Sequence, residues 1–134
     1  MSEIAQHRST TYEAGLRVAL VVAIAVAAVA HIPVIAPHLD EAPYMGVLFI
    51  VFTVACFALG IAVAFTRTTW AYRASAVVCG AGVLTYAATR LVAFPQLSDD
   101  VGNWFEPLGV VSVVSEAVVV GLALLALKQR TRTH

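Results

Sequence analysis

The chain has 134 residues, 60% hydrophobic and 12% charged, and its eight basic residues cancel its eight acidic ones. A soluble domain of this length carries roughly 25% charged residues to keep its surface wet, so this composition excludes a water-exposed globule. Zero net charge argues against a nucleic-acid partner, because phosphate binding requires a basic excess on some face.

Four segments reach the length of about 20 apolar residues that a helix needs to cross a bilayer. The first runs from Ala14 to Ile32, with Arg17 able to snorkel back to the interface. Within it, Ala28-Val29-Ala30 resembles a signal-peptidase site that would leave His31 as a new N-terminus, although Glu3 and Glu13 upstream count against cleavage. The link that follows, HIPVIAPHLDEAP, holds Pro33, Pro37 and Pro43 and predicts an extended or turned path. The second span, Tyr44 to Thr66, contains no charge, and the next link is only RTT. The third opens on Trp70, Tyr72 and Arg73, an interfacial belt, and continues to Phe94 with one charge, Arg90. A third link, PQLSDDVGNWFEP, ends at Pro107, well placed to start the fourth span at Leu108 to Leu127, which carries Glu116.

Each segment far exceeds the usual strand of roughly 5 to 6 residues, and helices keep their backbone hydrogen bonds internal in lipid. The expected fold is all-α: a single transmembrane domain over residues 1–134, built as an up-down-up-down four-helix bundle. Arg8, Arg17, Arg67, Arg73 and the tail KQRTRTH fall on one side of such a bundle, which predicts both termini cytoplasmic in a bacterial inner membrane. Sorted by side, seven basic residues face two acidic ones at the termini, and six acidic residues face Arg90 alone at the other end. Topology explains the first excess and does not require the second.

Charges inside a span are costly unless paired or hydrated, so Arg90 and Glu116 are the leading functional candidates. Both enter from the same end of neighbouring helices, which predicts an Arg90–Glu116 pair, acting either as a structural clamp or as part of a ligand site. Ser112, Ser115 and Glu116 share one face of the fourth helix, and Tyr86 and Arg90 are one turn apart on the third. With Trp104 these residues outline a polar, outward-facing ligand pocket, whose plain alternatives are interhelical hydrogen bonding and, for Trp104, interfacial anchoring. His31, His38, Asp40 and Glu41 are candidate ligands for a divalent metal, since imidazole beside carboxylate suits such an ion, although their spacing matches no tight motif and a solvated rim is the simpler account. Cys56 and Cys79 fall near the middle of neighbouring spans and suit small buried hydrophobes better than a disulfide. Ala19, Ala23 and Ala27, and Ala76 with Gly80, form small-residue stripes that allow close helix approach.

The segments PHLDEAPYMG and DDVGNWFEPLG resemble stretches of small, uncharacterised four-span bacterial membrane proteins. That resemblance implies the four-span layout and carries no activity. No nucleophile–base spacing, phosphate-cradling glycine loop or dinucleotide fingerprint is present. The expectation for function is therefore a binding or accessory component that engages a cation, lipid headgroup or partner protein, in the bilayer alone, as a homo-oligomer or within a larger complex. The alternatives are an enzyme acting on a lipid-soluble or quinone-like substrate with Glu116 as proton acceptor, and a structural subunit.

Overall fold

The structure is a computed structural model that describes residues 2–132. Helix α1 spans Ser2–Glu41, α2 Pro43–Phe65, α3 Thr69–Leu91 and α4 Pro107–Arg132, with a single 3-10 turn at Ser98–Asp100. All four helices are long and apolar enough to cross a membrane, and no strand occurs among the described residues. The molecule is an all-α, multi-pass membrane bundle, as the sequence predicts. Its outer surface carries many large apolar side chains: Val18, Val22 and Val29 on α1, Val51, Val54 and Phe57 on α2, and Val77 and Leu84 on α3 are all exposed. Helices apolar all round require lipid as their solvent.

The first link differs from expectation. Instead of a proline-bent loop, α1 continues through Pro33 and Pro37 to Glu41, 40 residues or about 60 Å, and only Ala42 separates it from α2. Each proline withholds a single backbone donor, and both are exposed on the helix surface. Ala42 leaves helical geometry at φ −141°, and Pro43 opens α2 at a position where no backbone N–H is needed. The turn is tight because Gly46 lies against Leu39, so that a Cβ at Gly46 would stand 2.7 Å from the Leu39 side chain. Ala28 and Ala30, the candidate cleavage positions, are buried inside this unbroken helix.

Around the bundle α1 packs on α2 and α4, α3 packs on α4, and the α2–α3 seam is the loosest contact. The end that carries both chain termini, here the terminal end, is closed by a continuous core: Leu16, Leu20 and Ile24 from α1, Cys56 and Val63 from α2, Tyr72 and Cys79 from α3, and Val119 and Ala123 from α4. The Cys56 and Cys79 thiols, both free and buried, meet across the seam within this core. The buried stripe of α1 is Leu16, Leu20, Ile24 and Ala27; of the small-residue stripe, Ala27 is buried and Ala23 packs against the core, while Ala19 is exposed.

The opposite end is capped by residues 92–106. Ala42, Met45 and Leu97 form a second small core there, supported by Phe49 and Phe94. Three side chains tie the cap down: Tyr44 Oη donates to Pro95 O at 2.7 Å, Tyr86 Oη to Trp104 O at 2.8 Å, and Arg90 holds Asp100. The Gly102 N–H also donates to Arg90 O, at the point where α3 ends.

Candidate functional site

Beneath that cap lies a cavity of about 560 Å³. Its roof is Leu97, Asp100 and Glu106. Its walls include Phe49 and Phe52 from α2, Val77, Val78 and Gly82 from α3, and Ser112 and Glu116 from α4, with His31 and His38 from α1. Leu48, Val51 and Val77 also line it and are exposed on the lipid-facing surface, so the cavity opens sideways through the loose α2–α3 seam.

The deepest polar groups are His31 and Glu116. Glu116 is only 2% exposed, and its Oε1 lies 3.5 Å from His31 Nε2. The carboxylate fits because Gly82 leaves room: a Cβ there would stand 2.7 Å from Glu116 Oε2. His31 is held from the other side, with Nδ1 2.8 Å from Ala27 O. A ring nitrogen facing a carbonyl carries the hydrogen, which leaves Nε2 as the atom directed at the carboxylate. Phe52 and Phe49 pack on the imidazole at 4.6 and 5.3 Å between ring centroids, fixing its plane.

Arg90 sits nearer the cap and does not pair with Glu116. Its Nη1 lies 2.7 Å from Asp100 Oδ1 and also donates to Asp100 O, while the guanidinium stacks over the Tyr86 ring at 4.6 Å. The expected partnership is thus replaced by two pairs, Arg90–Asp100 and His31–Glu116. The reason is depth. Arg90 ends α3 and turns towards the cap, where the 3-10 turn delivers an acidic residue, while Glu116 faces the middle of α3 at Gly82 and meets α1 on its other side. Arg90 remains only 7% exposed, and its Nε–H has no hydrogen-bond partner among the described residues.

Of the expected ligand-binding residues, Arg90, Glu116, Tyr86 and Ser112 line the cavity. Ser115 and Trp104 are off its wall: the Ser115 hydroxyl donates to Ser112 O, and Trp104 contributes its carbonyl to Tyr86 and its ring to an edge contact at 6.3 Å. The Ser112 hydroxyl donates to Leu108 O, so it offers a ligand acceptor lone pairs. The expected metal set is not brought together. His31 and His38 each turn Nδ1 on to their own helix, Asp40 and Glu41 are exposed at the end of α1, and no three His, Cys, Asp or Glu side chains converge among the described residues. Glu106 acts as a helix cap, accepting from Leu108 N at 3.2 Å and Gly109 N at 2.5 Å.

The residues that sequence reading did not single out for this site are Phe49, Phe52 and Gly82. Gly82 had a legible signal, because it falls in step with Tyr86 and Arg90 at intervals of four on one face of α3. The two phenylalanines had none beyond hydrophobicity. No protein-family model, no curated protein and no solved structure matches this chain.

Proposed function

We propose that this protein is a membrane-embedded binding component for a lipid-soluble amphiphile, whose polar head reaches His31 and Glu116 while its apolar body lies along Phe49, Phe52, Val77 and Val78. The observation that carries this reading is the placement of a buried His–Glu pair at the back of an otherwise apolar cavity that opens between α2 and α3. Small-molecule sites have this character: mostly apolar walls with a few convergent polar groups. The unpartnered Nε–H of Arg90 adds a second donor nearer the cap, suited to a carbonyl or other acceptor. A bare cation fits less well, because the carboxylate here is already partnered and the walls are hydrocarbon. The basic flanks of the spans support insertion in a bacterial cytoplasmic membrane with both termini inside, which sets the acidic, capped end outward.

A second reading, catalysis on a quinone-like substrate with Glu116 as proton acceptor, is favoured by the tautomer of His31. With Nδ1–H committed to Ala27 O, Nε2 presents a lone pair towards Glu116, so a proton accepted by Glu116 from a bound hydroxyl can be shared with the imidazole.

The test is titration of the purified protein in micelles with a short-chain alkyl benzoquinone and with a fatty alcohol, read by native mass spectrometry. Wild type is expected to retain one molecule per chain, and Val77→Trp, which fills the seam from the lipid side, to lose it. Equal binding by both proteins overturns the proposal.

A further inference from the structure

The polar side chains around the cavity beneath the cap spend their hydrogens on the protein itself. The hydroxyls of Thr85 and Ser112 donate one turn back along their own helices, to Ala81 O and Leu108 O, each at 2.8 Å, and Thr89 donates to Tyr86 O. Tyr86 Oη donates to the cap at Trp104 O. His31 and His38 each commit Nδ1 to a carbonyl of α1, Ala27 O and Val34 O, so in the neutral ring Nε2 carries the lone pair. All of these residues line the cavity. A hydroxyl that has already donated, an imidazole nitrogen without hydrogen and a carboxylate can only accept, so they offer a ligand lone pairs.

The convergence is sharpest at the back. Glu116 Oε1 and His31 Nε2 face each other at 3.5 Å, and among the described residues no backbone or hydroxyl hydrogen reaches the carboxylate. A proton held by this pair lies between those two atoms, whichever of them carries it, and Oε2 keeps lone pairs alone. Oε2 is the oxygen that faces Gly82 on α3. Buried acceptors that meet no hydrogen are costly in a low-dielectric site, and a ligand that brings one removes the cost. Arg90 is the exception in this lining. Its Nε–H is unpartnered, but it stands two turns nearer the cap than Gly82 and serves the other end of the cavity.

We propose that the ligand is recognised through a neutral hydroxyl that donates to the His31–Glu116 pair, as the head of an alcohol, phenol or quinol does, in preference to a carbonyl, ether or ester oxygen. The inference rests on the amphiphile reading above and narrows it to hydrogen-bond donors. An alkylammonium head also brings hydrogens, but its charge would have to cross hydrocarbon to enter through the α2–α3 seam.

The test uses the full chain in neutral detergent micelles and native mass spectrometry with three probes of one carbon frame: a para-alkylphenol, its methyl ether and the corresponding para-alkylbenzylamine. Wild type is expected to retain the phenol about tenfold better than the ether, which the apolar walls still hold weakly, and better than the amine. Glu116→Gln is expected to cut that preference to less than about twofold, by weakening the phenol and sparing the ether. The comparison in wild type needs no variant, so it stands even if Glu116→Gln fails to insert. Equal retention of phenol and ether by wild type overturns the donor requirement while leaving the amphiphile site intact, and stronger retention of the amine overturns the neutral headgroup. An undiminished preference in Glu116→Gln overturns the assignment to this pair. Retention of all three probes by Val77→Trp as by wild type would instead overturn the amphiphile site itself.

Discussion

The two ends of the bundle are built from the same four helices and bury opposite chemistry. At the terminal end Leu20, Ile24, Val63, Val119 and Ala123 interlock with essentially no exposure, the buried Ser75 hydroxyl is satisfied by Ala71 O, and the charged groups stand at the rim. Towards the capped end the same helices separate at the α2–α3 seam and enclose His31, Glu116, Ser112 and Arg90 around open space. Lipid solvates an apolar side chain as well as a neighbouring helix does, so packing alone gives no reason to hold helices apart. A buried carboxylate and imidazole beside a cavity carry a cost that close packing would avoid. The tight half reads as scaffold and the open half as the place where chemistry is kept at the expense of stability.

That contrast can be broken by substitutions that act on one half only. The largest effect is expected from Leu20→Ala, which removes a fully buried side chain from the scaffold and should lower stability by about 2 to 3 kcal/mol. It should leave ligand binding unchanged when unfolding is followed by circular dichroism and binding by native mass spectrometry; a parallel fall in binding would mean that the halves are coupled. Glu116→Gln comes next. It keeps the shape but replaces the carboxyl facing His31 by an amide, and should weaken amphiphile binding roughly tenfold, about 1.4 kcal/mol, with the protein still inserted. Gly82→Ala tests the same pair from the opposite helix. Its Cβ would displace the carboxylate from its present position, and a loss of about fivefold is expected in the same titration, while Ser115→Ala, buried but off the cavity wall, should be close to neutral there. The smallest effect is expected from Tyr44→Phe, which removes one tie to the cap and costs about 0.5 to 1 kcal/mol, visible as faster hydrogen exchange at the Leu97 amide.

The spans were legible because their signal is cumulative: twenty apolar residues leave no other backbone solution in lipid, and both ends of α2 and α3 and the start of α4 fall within about three residues of the expected ones, whereas α1 runs well past its expected span at both ends. The Pro33–Pro37 stretch was not, because local propensity treats proline as a helix breaker, whereas the continuous helix accommodates both rings on its exposed side. Glu116 and Arg90 were recognisable as costly charges in apolar runs. Their partners were not, since sequence adjacency of α3 and α4 suggested contact between them, and only packing in three dimensions sets α1 beside Glu116 and folds Asp100 back on Arg90. Four of the polar residues that line the cavity were legible, whereas its apolar walls and its opening at the α2–α3 seam were not, being a property of how far two helices stand apart.

The cap over residues 92–106 has a consequence for how affinity should be expressed. With that end covered and the seam facing hydrocarbon, a molecule on the proposed route approaches by diffusion in the plane of the bilayer. The concentration that governs occupancy is then its mole fraction in the lipid. Adding inert lipid should empty the site, while adding buffer around the same vesicles should leave it filled.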